Sequence, residues 1–216
     1  MSLLFSRRKG AASLVIRLDA LRDARGALET QGLDPERVRI KVCNEAVYRR
    51  VHVDERMPSV IIADQTPAAL RAEFERVRLI HSIIPQAGVG AIGRIEWEKG
   101  FAGYLMHELP GRSLLLNFTM TSLEKRREGA GEEYVRRFKE LRRNVERLNS
   151  HGVGHGDLHE SNNIEGKLID PQVYFRSGMA RRPEWFLIRR DRDWMHKMAE
   201  RISIRTCIDF EEVWRL

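Results

Sequence analysis

Apolar positions along the chain follow two periods, one of three to four residues and one close to two, and the alternation between them predicts the elements. Between Glu132 and Ser150 the residues Val135, Phe138, Leu141, Val145 and Leu148 share one face and arginines occupy the other, which predicts an amphipathic helix. Thr66-Pro67 opens a second helical pattern of Leu70, Phe74, Val77, Ile80 and Ile84, with a threonine suited to cap it and a proline suited to its first turn. Leu14, Leu18, Leu21, Ala27 and Leu28 predict an N-terminal helix that stops at Gly32, with Pro35 beyond. Three β-like runs at 38–43, 46–53 and 59–63 fit an antiparallel meander, and the runs at 92–97 and 101–109 flank a hairpin-like turn at Glu98-Lys99-Gly100. Glycines at 152, 154 and 156 stop the long helix, two short β-runs near Asn163-Ile164 and Leu168-Ile169 follow, and the chain from Pro183 onward reads helical and at first strongly basic. The predicted class is α+β, with a small antiparallel β-rich half carrying one main helix at 1–109 and a mostly helical half at 110–216.

Composition narrows this little. The 216 residues suffice for one domain or two small lobes, and 42% hydrophobic with 32% charged residues is a globular composition. A balance of 38 Lys+Arg against 31 Asp+Glu gives +7, which favours anionic partners without choosing among them. The two cysteines, Cys43 and Cys207, lie in no metal-ligand spacing, and the apolar run at 11–16 is too short for a signal peptide core, so a cytoplasmic location is expected.

The chemistry lies in the second half. His155-Gly156-Asp157-Leu158-His159-Glu160-Ser161-Asn162, followed by Leu168-Ile169-Asp170, resembles the catalytic loop and metal-binding aspartate of the protein-kinase-like superfamily. The resemblance implies Asp157 as catalytic base, Asn162 and Asp170 as Mg²⁺ ligands, and His155 as a residue that ties the loop down. It also implies ATP as the nucleotide and a two-lobed fold. The His-Gly-Asp-Leu-His form resembles bacterial aminoglycoside and sugar phosphotransferases, while Ile169-Asp170-Pro171-Gln172-Val173 and Arg190-Asp191-Arg192-Asp193 resemble RIO-type kinases and lipopolysaccharide core kinases. The segment Tyr104 to Leu109, with Glu108 before Pro110-Gly111, resembles the hinge whose backbone hydrogen-bonds adenine. Another arrangement of the same region, a zinc site from His151, His155 and His159 stacked on a helix, is opposed by the intervening glycines.

Two parts of the kinase pattern are missing where they are expected. No glycine occurs between Val38 and Val53, and the third-strand position for the phosphate-clamping lysine falls near Ala63 or Asp64. The candidate substitutes are Lys41, Arg49 and Arg50, paired with Glu73 or Glu75. Gly88-x-Gly90-x-x-Gly93 spells a nucleotide-loop string, but it follows a helix and precedes a strand, the reverse of the dinucleotide arrangement, and reads as a connection.

The leading expectation is an ATP- and Mg²⁺-dependent phosphotransferase acting on a hydroxyl of a sugar or lipopolysaccharide-core acceptor. A RIO-like serine/threonine protein kinase and a pseudokinase serving as a binding module stay open as alternatives. Arg181, Arg182, Arg189 and Arg190 point to an anionic glycan acceptor, or to peripheral contact with an anionic membrane at its inner face, and no nucleic acid is expected as partner.

Overall fold

The computed structural model describes residues 14–17, 24–30, 32–43, 60–63, 65–98, 100–109, 131–164, 166–174 and 180–215. The protein is α+β, and its chain divides into two units, Met1–Glu75 with Gly90–Leu109, and Arg76–Val89 with Pro110–Leu216. Besides the expected boundary after Leu109, the chain passes between the units twice more, after Glu75 and after Val89, because Arg76–Val89 belongs with the second unit.

In the first unit, β1 (Leu14–Arg17), β2 (Val38–Val42), β3 (Val60–Ile62), β4 (Ala91–Trp97) and β5 (Gly100–His107) form one sheet in the order β1-β4-β5-β2-β3. The centre is antiparallel, β4 with β5 and β5 with β2, whereas β1 runs parallel to β4 and β3 runs parallel to β2. The sheet is thus mixed, which corrects the expected antiparallel meander. Parallel neighbours need a crossover of about a dozen residues or more, and the segment between β2 and β3 is long enough to supply one. The middle run of the expected meander, 46–53, lies outside the described residues.

The expected N-terminal helix is also corrected. Its first part is strand β1, and among the described residues α1 (Ala24–Thr30) is the helical part. Val15 and Ile16 are adjacent β-branched residues that favour an extended backbone, and the strand gains a ladder with β4 from Leu14 opposite Gly93 to Arg17 opposite Glu96.

Helix α2 (Pro67–Ile83) begins as its sequence predicts, with Ala69 N–H donating to Thr66 Oγ1 at 3.2 Å. Its first half serves the first unit: Leu70 and Phe74 are buried, and the Phe74 ring lies 5.9 Å from that of Phe101 and 5.5 Å from that of Tyr104. The β4–β5 hairpin turns at Glu98, whose φ of 50° is the left-handed value such a tight turn requires.

The second unit holds α3 (Gly131–Ser150), the short hairpin β6 (Asn163–Ile164) and β7 (Lys167–Leu168), α4 (Glu184–Thr206) and α5 (Phe210–Trp214). Its core joins Ile80 and Ile84 to Phe138, Leu141 and Leu148 of α3 and to Met195, Met198 and Ile202 of α4. Each such side chain contributes roughly 1.5–3 kcal/mol on burial. Gly88 of the nucleotide-loop string packs on α2, where a Cβ would meet the His81 Cα at 2.5 Å, so the string is a helix-to-strand connection. No helix among the described residues is long and apolar enough to cross a membrane.

Candidate active site

The loop after α3 is shaped by glycine and pinned by two acids, the buried Asp191 and the partly exposed Glu184. Gly152, at φ 72°, ends α3: its N–H reaches the Asn149 carbonyl at 2.9 Å and Val153 N–H reaches the Leu148 carbonyl at 3.3 Å, the paired bonds of a Schellman cap. Gly156, at φ 84°, has no room for a side chain, since a Cβ would sit 2.5 Å from both the Gln172 carbonyl oxygen and Leu187 Cδ2. That close approach explains why glycine occupies the position. Gly154 is held on both sides, its N–H by Glu184 Oε2 at 3.2 Å and its carbonyl by Arg76 Nη1 at 3.2 Å, and Arg76 and Glu184 are themselves joined by a two-pronged ion pair. Burial works to raise the Glu184 carboxyl, but the Arg76 hydrogen bonds and charge outweigh it and hold the group below its usual range.

The fully buried Asp191 of α4 carries the loop. Its two oxygens accept from His155 N–H and Gly156 N–H, each at 2.7 Å. Asn149, with its amide nitrogen turned inward as its surroundings select, adds a bond to Asp191 Oδ2 at 3.2 Å. His155, also fully buried, accepts from Asp157 N–H through Nδ1 at 3.4 Å and gives its carbonyl to Gln172 N–H at 3.0 Å. Its Nε2 makes no hydrogen bond within normal limits.

Desolvation dominates both groups in opposite senses. It pushes Asp191 up to about 7 against the pull of its two N–H donors and of Arg76 and Arg190, and it pushes His155 down to about 4 against the Asp170 charge and the Ile169 backbone. Asp191 therefore binds its proton more tightly folded than unfolded, so its contribution to stability falls as pH rises from about 4 to 7. His155 binds its proton less tightly folded, so its contribution rises between about 4 and 6.5. The two slopes oppose each other. In Asp191→Asn the falling one is gone, and the melting temperature of the variant minus that of the wild type is expected to grow more positive from pH 4 to pH 7. A difference that does not change with pH would show that Asp191 ionises at an ordinary value.

On this scaffold Asp157, Asn162 and Asp170 come together. Asn162 Nδ2 donates to the Asp157 carbonyl at 3.0 Å and to its carboxylate at 3.4 Å, which leaves the amide oxygen at the other end of the group as a possible cation ligand. Ile169 N–H bonds the Asn162 carbonyl at 3.1 Å and brings Asp170 alongside. Asp170 has φ 53°, a left-handed conformation that is uncommon outside glycine and clusters at functional sites. The Asp157 carboxylate is about a quarter exposed and has only long contacts, 3.4 Å to Arg190 Nη2 and 3.7 Å to His159 Nε2. A partly open carboxylate on a rigid loop can orient a hydroxyl and take its proton. Among the described residues no three His, Cys, Asp or Glu side chains gather as a metal site, so His151, His155 and His159 do not form the zinc arrangement. Asp170 carries a carboxylate and Asn162 an amide oxygen, the kinds of hard donor that Mg²⁺ takes alongside phosphate oxygens.

The first unit carries a separate feature. Lys41 of β2 is buried, and its Nζ donates to Glu73 Oε1 at 2.7 Å, where Tyr104 OH also donates at 2.6 Å, while Gln65 Nε2 holds Glu73 Oε2 at 2.7 Å. Lys41 is the cation named from the sequence that lies among the described residues, and its buried acidic partner is Glu73. Glu75 is exposed on another face of α2 and does not fill this place. Arg49 and Arg50 lie outside the described residues. The signal was present in the sequence: Val38-Arg39-Ile40-Lys41 matches the V-x-I-K strand pattern, so the lysine lies well before the expected position near Ala63 or Asp64. Glu108 follows β5 with its carboxylate on Arg39 and its N–H on the Arg37 carbonyl at 2.7 Å, so only its own carbonyl and Leu109 are available for the adenine contact suggested for this pair.

The four arginines taken together from the sequence divide. Arg182 is buried, with Nη1 3.5 Å from the Gly156 carbonyl, and Arg190 faces Asp157; only Arg181 and Arg189 are exposed. Asp191, Arg76 and Glu184 were not predicted as site residues, because their partners lie 30 or more positions away; Asp191 entered only within the Arg190-Asp191-Arg192-Asp193 segment of the resemblance. No protein-family model matches the chain, and no curated protein matches it.

Proposed function

We propose that this chain is an ATP- and Mg²⁺-dependent phosphotransferase with a two-lobed, protein-kinase-like fold, acting on a hydroxyl of a sugar or lipopolysaccharide-core acceptor. The observation that carries the reading is the loop geometry: Asn162 bonded to Asp157, a left-handed Asp170 beside it, and the loop backbone hung from Asp191 by two bonds of 2.7 Å. The buried Lys41–Glu73 pair in the first unit supports it, since kinases clamp phosphates with a strand lysine oriented by a helix glutamate.

In this mechanism Asp157 accepts the proton of the acceptor hydroxyl as that oxygen bonds to the γ-phosphorus. The bond from the γ-phosphorus to the bridging oxygen breaks, and ADP leaves. Asn162 keeps Asp157 in place through its amide nitrogen, and Asp191 keeps the backbone from moving as charge develops. Lys41 would bind phosphate oxygens, while the Glu108 carbonyl and Leu109 would meet adenine. Asp170 and the Asn162 amide oxygen would hold Mg²⁺, which when bound neutralises phosphate charge. A cytoplasmic setting with access to the inner membrane face belongs to the same proposal.

The test is ADP formation from ATP by the full chain, with and without Mg²⁺. Slow Mg²⁺-dependent ADP release, with water in place of the acceptor, is expected. Nucleotide binding with no ADP formed in the presence of any sugar or sugar phosphate acceptor would replace the enzyme by a nucleotide-binding module, a reading favoured by the lack of glycine between Val38 and Val53.

A further inference from the structure

Helix α4 shows two different faces. Leu187, Asp191, Met195 and Met198 point into the second unit and are buried. A neighbouring face lines an open groove of about 460 Å³ along the helix with Trp185, Trp194, Arg189, Arg190, Lys197 and Asp193. Its chemistry is unlike an ordinary solvated helix face. Trp185 is 64% exposed, a costly placement for a large aromatic unless its face is used, and Lys197 Nζ lies 5.5 Å from the centre of the Trp194 ring. Three cations stand against one carboxylate.

The groove is joined to Asp157 by two side chains. Arg190 in its wall is 3.4 Å from Asp157 Oδ1. The Trp194 ring meets His159 edge-on at 5.9 Å, and His159 Nε2 is 3.7 Å from Asp157 Oδ2. A molecule seated here would thus lie beside the carboxylate assigned as base. Indole faces suit the C–H faces of a sugar ring, and arginine with lysine suits a phosphate. We infer that this groove is the acceptor subsite and that the acceptor is a phosphorylated sugar, its anion held by Arg189 and Lys197, its ring by Trp185, and a hydroxyl turned toward Asp157. The acceptor role rests on the phosphotransferase reading; the ligand class rests on the groove alone.

Calorimetric titration of the full chain with glucose 1-phosphate separates the two. Saturable binding is expected, with glucose at least about tenfold weaker because the charged contacts are missing. Trp185→Ala and the double variant Arg189→Gln/Lys197→Gln are expected to weaken glucose 1-phosphate by about tenfold each while leaving Mg²⁺-ATP binding unchanged. All three positions are exposed, so these variants should fold. No binding of glucose 1-phosphate, binding indifferent to these substitutions, binding matched by inorganic phosphate, or binding to anionic phosphatidylglycerol vesicles alone would each overturn the inference. Binding that follows these residues in a protein that fails to bind Mg²⁺-ATP would leave a sugar-phosphate site but remove its acceptor role.

Discussion

Replacing Asp157 by alanine is expected to reduce phosphoryl transfer by about a hundredfold or more, the usual contribution of a positioned general base, with little change in stability or in Mg²⁺-ATP affinity. Stability should be spared because the carboxylate does not hold the loop. Its contacts to Arg190, Asn162 and His159 are all 3.4 Å or longer, while the short bonds that fix the backbone belong to Asp191. A variant that melts like the wild type, binds nucleotide and turns over slowly would match. If nucleotide affinity fell as far as the rate, Asp157 would be a ligand of the metal rather than the base. The pH dependence of the rate provides a further check, because the loop that presents Asp157 hangs from a carboxyl pushed up to about 7.

The second large effect lies in the first unit. Removing Glu73 takes an acceptor at 2.7 Å from a buried ammonium, since Lys41 is 5% exposed and its Nζ donates to Glu73 Oε1. Breaking a buried ion pair from one side typically costs about 3–5 kcal/mol, so Glu73→Ala should unfold at markedly lower denaturant than the wild type. Replacing both partners is a different experiment. Lys41→Met with Glu73→Leu removes both charges, keeps much of the volume, and should recover most of the lost stability. If the lysine binds phosphate, the double variant should nevertheless remain deficient in turnover. Recovery of stability and turnover together would make the pair a structural device with no part in nucleotide binding.

What could be read from the chain alone follows from the range of the interactions. The amphipathic period of α3, the Thr66 cap of α2 and the Glu98 turn between β4 and β5 are local, and each leaves a local mark. The grouping of Asp157, Asn162 and Asp170 was legible because these residues sit within one turn, one 3₁₀ segment and one short hairpin. Pairings across the chain were not. The parallel alignment of β1 with β4 made a strand of residues that scan as helix, and β2 pairs directly with β3 although the expected meander put the run at 46–53 between them. Asp191 reaches back to residues 155 and 156, and Arg76 reaches forward to Glu184, so neither could be singled out among many surface-type charges. Lys41 was visible only as one of three candidate cations, because its burial against Glu73, 32 positions on, leaves no local mark.

The central claim is that Asp170 and Asn162 form, with nucleotide phosphates, a Mg²⁺-dependent site beside Asp157. Calorimetric titration of ATP into the full chain, with Mg²⁺ and with chelator, measures this directly, in the wild type and in Asp170→Asn. The account predicts saturable binding that requires Mg²⁺ in the wild type and is lost in the variant. Absence of ATP binding under every metal condition, or binding of equal strength with Mg²⁺ and with chelator, would contradict it.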